Sequence, residues 1–147
     1  MATRTLGMVA ALALAGCAPA RPQVSEDALQ AFYPEYPALF VTNFAANCTD
    51  PQDRLSRIDA DTFVCESLPD PETAAALILQ FDGRVDALPT FVSVVETQEV
   101  ANGYVVTADA FIRVPGRDGR VIQFRPLEAE LRDRLTEAYR ATGGAPL

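Results

Sequence analysis

The 147-residue chain contains no histidine and no lysine. Without histidine, a Ser-His-Asp or Cys-His catalytic site in its usual form is excluded, and so is a zinc site built on imidazole. No glycine-rich stretch matches a phosphate or dinucleotide cradle. The acidic stretch Asp50 to Asp61 (DPQDRLSRIDAD) lacks the D-x-D-x-D-G order of an EF-hand loop. Positive charge is scarce: twelve arginines face twenty acidic residues, for a net charge of −8. That balance speaks against nucleic acid as a partner, since binding it needs many basic contacts to phosphate, and against a body that lies flat on an anionic membrane. No segment approaches the ~20 apolar residues needed to cross a bilayer as a helix. There is no internal repeat.

What is present begins with an export signal. Arg4 supplies a short basic region, and Leu6 to Ala15 (LGMVAALALA) is an uncharged apolar run of the length of a signal-peptide core. Two small-residue triplets, Ala13-Leu14-Ala15 and Ala18-Pro19-Ala20, fit an A-x-A-like cut that would release a soluble exported protein. A third possibility lies between them. Leu14-Ala15-Gly16-Cys17 closely resembles the lipobox of bacterial lipoproteins and stands where the apolar run ends. The resemblance covers residues 1–17 alone. It implies that residues 1–16 are removed, that the Cys17 thiol receives a diacylglyceryl group, and that its new amine is acylated. Each buried methylene is worth ~0.8 kcal/mol, so two or three chains hold a protein to a membrane where one does not. Because Ala18, and not aspartate, follows the cysteine, the family rule favours the outer over the inner membrane, facing the periplasm. The mature chain would carry eleven arginines and twenty acids, a charge of −9.

Export also sets the reading of the other two cysteines. Cys48 and Cys65 form an even pair in an oxidising compartment and are expected to be disulfide-bonded. Closing a loop of that length stabilises a fold by ~3 kcal/mol in the chain-entropy model. A reactive thiol would want C-x-x-C spacing or a neighbouring histidine, and neither occurs. Three cysteines thus resolve into one anchor and one staple.

Residues 17–24 (CAPARPQV) read as a short tether, reaching at most ~28 Å, and 25–147 as a single α+β domain with an apolar content that argues against disorder. The pattern predicts a helix capped at Ser25 with Glu26 and Asp27 in its first turn, ended by Pro34 and Pro37. Pro37 to Asn47 is expected to be helical, although Val41-Thr42 would suit a strand. Asp50 to Asp61 reads as a surface loop and Thr62 to Ser67 as a strand. Asp70 caps the next helix, with Pro71 in its first position, Ala74, Leu77, Ile78 and Phe81 as its buried stripe, and Gly83 just past its end. From Phe91 the period changes to two, and Phe91–Val100, Tyr104–Val114 and Arg120–Arg125 read as a three-stranded meander. A three-residue loop at Ala101–Gly103 would pair Val92 with Ile112 and Val94 with Ala110. A five-residue loop at Pro115–Gly119 would pair Ile112 with Ile122 and leave Pro115 outside the ladder. A C-terminal helix opens at Pro126, turns Leu127, Leu131, Leu135 and Tyr139 to the sheet, pairs Glu128 with Arg132 and Glu130 with Arg134, and stops at Gly143-Gly144. The expected architecture is an antiparallel sheet, the meander plus one further strand, packed by helices on one face.

Candidate functional residues are few. The carboxylate pairs Asp59 with Asp61 and Glu66 with Asp70 read as solvated loop acids before they read as a hydrolase pair. Arg113, Arg117, Arg120 and Arg125 gather along the last hairpin as a possible binding patch for phosphate or carboxylate groups, against the plainer role of keeping an edge hairpin soluble. Phe32-Tyr33-Pro34-Glu35-Tyr36-Pro37 offers either a docking ridge or a packed turn, the second being favoured. Val105, Thr107 and Phe111, with Phe91 and Val95, would share the second face of the meander and could line a small-ligand pocket. No catalytic residue, metal or cofactor is assigned. The expected function is a membrane-anchored envelope lipoprotein, attached to the bilayer through acylated Cys17, that acts as a structural or interaction module for an envelope protein or cell-wall partner. A small-ligand carrier is the alternative, and a carboxylate-based hydrolase a more distant one.

Overall fold

The computed structural model describes residues 24–25, 28–125 and 128–147. The signal segment, Cys17 and most of the tether lie outside these residues. So do Glu26, Asp27, Pro126 and Leu127.

Among the described residues the chain forms three helices and a seven-stranded antiparallel sheet, an α+β architecture that ends in a helix followed by a two-residue strand. The strands are β1 (Leu29–Tyr33), β2 (Arg54–Arg57), β3 (Thr62–Ser67), β4 (Thr90–Val100), β5 (Gly103–Pro115), β6 (Val121–Phe124) and β7 (Ala145–Pro146). The helices are α1 (Ala38–Ala46), α2 (Pro71–Gln80) and α3 (Glu128–Ala141). Strand order is β2-β3-β4-β5-β1-β7, and β6 also pairs with β5. The sheet is therefore larger than the expected meander plus one strand.

Three of its strands were hidden in the sequence. The segment expected to be a helix from Ser25 is β1: Leu29, Ala31 and Tyr33 alternate onto one face, and the Ser25 N–H is donated to a side chain across the sheet instead of opening a helix. Arg54–Arg57, inside the expected loop, is an edge strand. Arginines at both its ends are what keep such an edge from pairing onward, and they erase its apolar signal. After α3, Ala145-Pro146 returns to pair with Ala31 and Phe32.

The helices follow local chemistry closely. The Asp70 carboxylate accepts from the Glu72 and Thr73 amides, and Pro71 occupies the first turn of α2. The left-handed residue past α2 is Asp82 (φ 49°), one position before Gly83; the Gly83 N–H closes the turn on the Ile78 carbonyl at 2.8 Å. α3 ends as expected, with Gly143 left-handed (φ 89°) and the Gly144 N–H on the Tyr139 carbonyl. The Glu130–Arg134 pair forms at 2.5 Å, whereas the Glu128 side chain lies outside the described residues. Cys48, just past α1, is bonded to Cys65 in β3, with Cα atoms 5.9 Å apart.

The helices pack on one sheet face. Phe40 of α1 and Tyr139 of α3 meet Ala31, Tyr33, Val95, Val106 and Ala108. Leu77 of α2 meets Ile112 and Val114. The two rings of α1 and α3 stack at 5.0 Å, and the Tyr139 hydroxyl donates to the Leu29 carbonyl at 2.8 Å. Burial pushes the Tyr139 phenol well above its ordinary pKa, with neighbouring Tyr33 adding to the effect, so it stays a donor. The opposite face buries Val64, Val92, Val94 and Phe111, packed by Val24 and Ile58.

Both hairpin registers differ from expectation. The β4–β5 turn is two residues long, so Val100 faces Gly103, Val94 faces Asp109 and Val92 faces Phe111. That one-residue slip exchanges faces, and Phe91 and Val95 stand on the helix face while Val105, Thr107 and Phe111 stand on the other. The supposed five-residue pocket wall is thus divided between two faces. In the β5–β6 hairpin, Ile112 faces Phe124, and Pro115 closes the ladder opposite Val121 instead of lying outside it. Gly103, the first residue after the β4–β5 turn, is needed because β1 runs against it: an added Cβ would sit 2.2 Å from the Tyr33 carbonyl oxygen, at φ 152°. Gly103→Ala is expected to cost about 2–3 kcal/mol, read as a lower urea midpoint at unchanged m-value, while Ala101→Gly in the turn costs under ~1 kcal/mol. Equal midpoints for the two variants would contradict this close approach.

Candidate functional site

Each of the four arginines of the last hairpin has its own carboxylate. Arg120 bonds Asp118 within the β5–β6 turn. Arg117 lies 3.3 Å from Asp82, beyond α2. Arg113 pairs with Glu66 across the sheet. Arg125 turns inward: its Nε and Nη2 donate to the two carboxylate oxygens of Asp109 at 3.0 and 2.6 Å, and its guanidinium covers the Phe111 ring at 5.4 Å. Arg117 and Arg120 are solvent-facing pairs at the hairpin tip, and Arg113 and Arg125 stand on the sheet face opposite the helices. The carboxylates of Asp59 and Asp70 serve a turn and a cap, with the Asp61 N–H on Asp59 and Asp70 capping α2.

Asp109 is the charged group that sequence reading passed over. It lies mid-strand, its side chain 4% exposed, among Ala108, Ala110 and Phe111. An aspartate inside an apolar strand is itself a signal, because a buried carboxylate must find a donor. It finds three: the Arg125 fork in bidentate contact and the Ser25 N–H at 2.9 Å. Burial pushes the carboxyl pKa up, but the hydrogen bonds from Arg125 and Ser25, with the arginine charge, outweigh it and hold the group below its usual value near 3.8. The location explains the need. On this edge of β5, β1 stops at Ala108 and β6 begins at Ile112. Asp109 stands in the gap and ties together Ser25, which leads into β1, and Arg125, which follows β6.

One concave feature of the described residues lies on the helix side. Phe40, Asn43, Phe44, Ala46 and Asn47 of α1 and its C-cap, with Leu135, Ala138, Ala141 and Thr142 of α3 and its end, line a half-open cleft of about 350 Å³. No lining residue is charged. Its hydroxyl and one of its amides are engaged locally: Thr142 Oγ1 shares a 2.8 Å hydrogen bond with the Tyr33 hydroxyl, and Asn47 Nδ2 donates to the Asn43 carbonyl. Helix α1 carries no charge from Ala38 to Ala46, and Leu39 is 56% exposed. The aromatic segment before it divides as a packed turn would: Tyr33 is buried, while Tyr36 stays partly exposed, edge-on to Tyr104 at 5.5 Å. Asp53 lies near Cys48 and Cys65, whose sulfurs are joined and offer no thiolate to a metal. No helix among the described residues is long and apolar enough to cross a membrane.

Compared with protein-family models, with curated proteins and with solved structures, the chain matches none.

The Asp109 clamp yields a pH prediction with a definite sign. A carboxyl whose folded pKa is depressed contributes stability that is fully present above its unfolded value and is lost as pH falls through the folded one. Asp109→Asn, which strands a largely buried arginine, is expected to cost about 3 kcal/mol at pH 7 in urea unfolding. The gap from the unsubstituted protein holds down to about pH 5 and closes as the pH drops below ~4. A gap that stays constant from pH 7 to pH 3 would show that the charge of Asp109 does not hold the clamp.

Proposed function

We propose that the chain is the precursor of a lipid-anchored envelope protein. Cys17 becomes its acylated first residue, and the mature domain works at the periplasmic side of the outer membrane as an interaction module. The observation that carries this reading is the tetrapeptide Leu14-Ala15-Gly16-Cys17 at the end of an uncharged ten-residue run behind Arg4. Two further features support it. The Cys48–Cys65 disulfide suits an oxidising compartment. The α1–α3 cleft is an uncharged, partly apolar concavity on a strongly acidic chain. In cells given a radiolabelled fatty-acid precursor, the unsubstituted protein is expected to carry label and to sediment with membranes, and Cys17→Ser to lose both. Equal labelling of the two ends the anchor reading.

The cleft also supports a second reading, an envelope protein that binds a small neutral ligand. A volume of about 350 Å³ falls at the lower end of the ~300–1,000 Å³ found for ligand pockets. Its aromatic and aliphatic floor with amides at the rim would take an uncharged, mostly apolar molecule. Ala141→Trp places an indole at the exposed edge of the cleft. It is expected to weaken binding of a neutral apolar fluorescent probe at least tenfold while leaving the urea midpoint unchanged. Undiminished probe binding in that variant removes the small-ligand reading and leaves the interaction module.

A further inference from the structure

We infer that the anchored domain hangs with the Asp109 face of its sheet toward the bilayer, so that the α1–α3 cleft is turned away from the membrane toward the partner side. This rests on the lipid anchor proposed above.

The first argument is the point at which the tether leaves the domain. Val24 packs with Val64, Val92, Val94 and Phe111, and the Ser25 N–H is held by Asp109 at 2.9 Å, all on the face opposite the helices. From Cys17 to Val24 there are seven peptide steps, which span ~25 Å at full extension. A compact domain of the ~120 residues that follow has a radius of gyration of about 14 Å, hence an outer radius of about 18 Å. Carrying the anchor from the Asp109 face around to the cleft would take a path of more than ~50 Å over that surface. The tether is half as long. The acyl chains therefore enter the bilayer beside the Asp109 face whatever the domain does.

The second argument is charge. On that face the strands and the residue after β6 carry Arg54, Arg113 and Arg125 against Glu66, Glu96 and Asp109. Three of each sign leave these described residues without net charge, in a chain whose total is −8. Within a Debye length of anionic headgroups, a face so balanced is not repelled as the acidic loops are. Charge therefore permits the side that the tether selects.

The absence of lysine makes the orientation measurable. The mature chain is coupled through the Cys17 thiol, the one cysteine outside the disulfide, to a maleimide lipid in phosphatidylcholine–phosphatidylglycerol vesicles that carry a headgroup-borne amine-reactive crosslinker. Single lysines are introduced by Gln98→Lys and Gln123→Lys, both exposed positions on the Asp109 face, and by Asn43→Lys at the cleft rim. The lysine-free parent gives the background. Capture through the two sheet positions is expected to exceed capture through Asn43→Lys at least fivefold, and a twenty-residue Gly-Ser insertion between Ala20 and Arg21 is expected to abolish the difference. Equal capture, a reversed order, or a bias that survives the insertion overturns the proposal. Because the lipid is attached chemically, the result does not depend on acylation in cells. Failed metabolic labelling with biased capture would remove the anchor alone, and successful labelling with unbiased capture would remove the orientation alone.

Discussion

The buried bond between Asp109 and Arg125 is the constraint around which the sheet is arranged. β5 is thirteen residues long and is flanked on one side by β4 along most of its length. Its other side is shared by two short strands that do not meet. A sheet edge interrupted in this way exposes backbone and invites water into the middle of the fold. The Asp109 carboxylate closes the interruption from the side, taking one donor from the segment that enters β1 and two from the residue that leaves β6. Replacing such a pair with apolar groups often costs little, but removing one member leaves a charge without a partner in an apolar setting. The clamp is therefore a device for fixing where two chain segments go, and its contribution to net stability is secondary.

How much of this was legible in the sequence follows from where each signal came from. Local signals were readable: Asp70 with Pro71, Gly143-Gly144 and the strand Thr62–Ser67 appear where local chemistry puts them, and the Cys48–Cys65 bond follows from an even cysteine pair behind an export signal. Pairing information was not. β4 buries Val92 and Val94 on one face and Val95 on the other, so neither face is marked as the wet one. Alternation then cannot choose between registers one residue apart. The close contact of Gly103 with Tyr33 joins residues seventy positions apart and involves a strand that a capping signal at Ser25 disguised as a helix. The arginines of the last hairpin were legible as a group in sequence but not as a group in space. Each is neutralised by an acid from a different element, and Arg125 is half of the central clamp.

The same clamp bears on the proposed function. A lipid anchor fixes a protein to a surface but says nothing about which way it faces, because a flexible leash permits every orientation. Orientation requires that the leash end early and at a defined place. Here the chain is held at Val24 and Ser25, seven and eight residues beyond the proposed anchor, by a carboxylate that is itself held by Arg125. An acidic domain would otherwise drift from an anionic bilayer to the limit of its tether and present any side outward. In the proposed orientation, pinning the exit to the Asp109 face turns the uncharged groove between α1 and α3 outward. A helix without a single charge would be a liability if it faced lipid headgroups or lay at random on a crowded surface. Held away from the membrane in the proposed orientation, it would be a surface open to a partner.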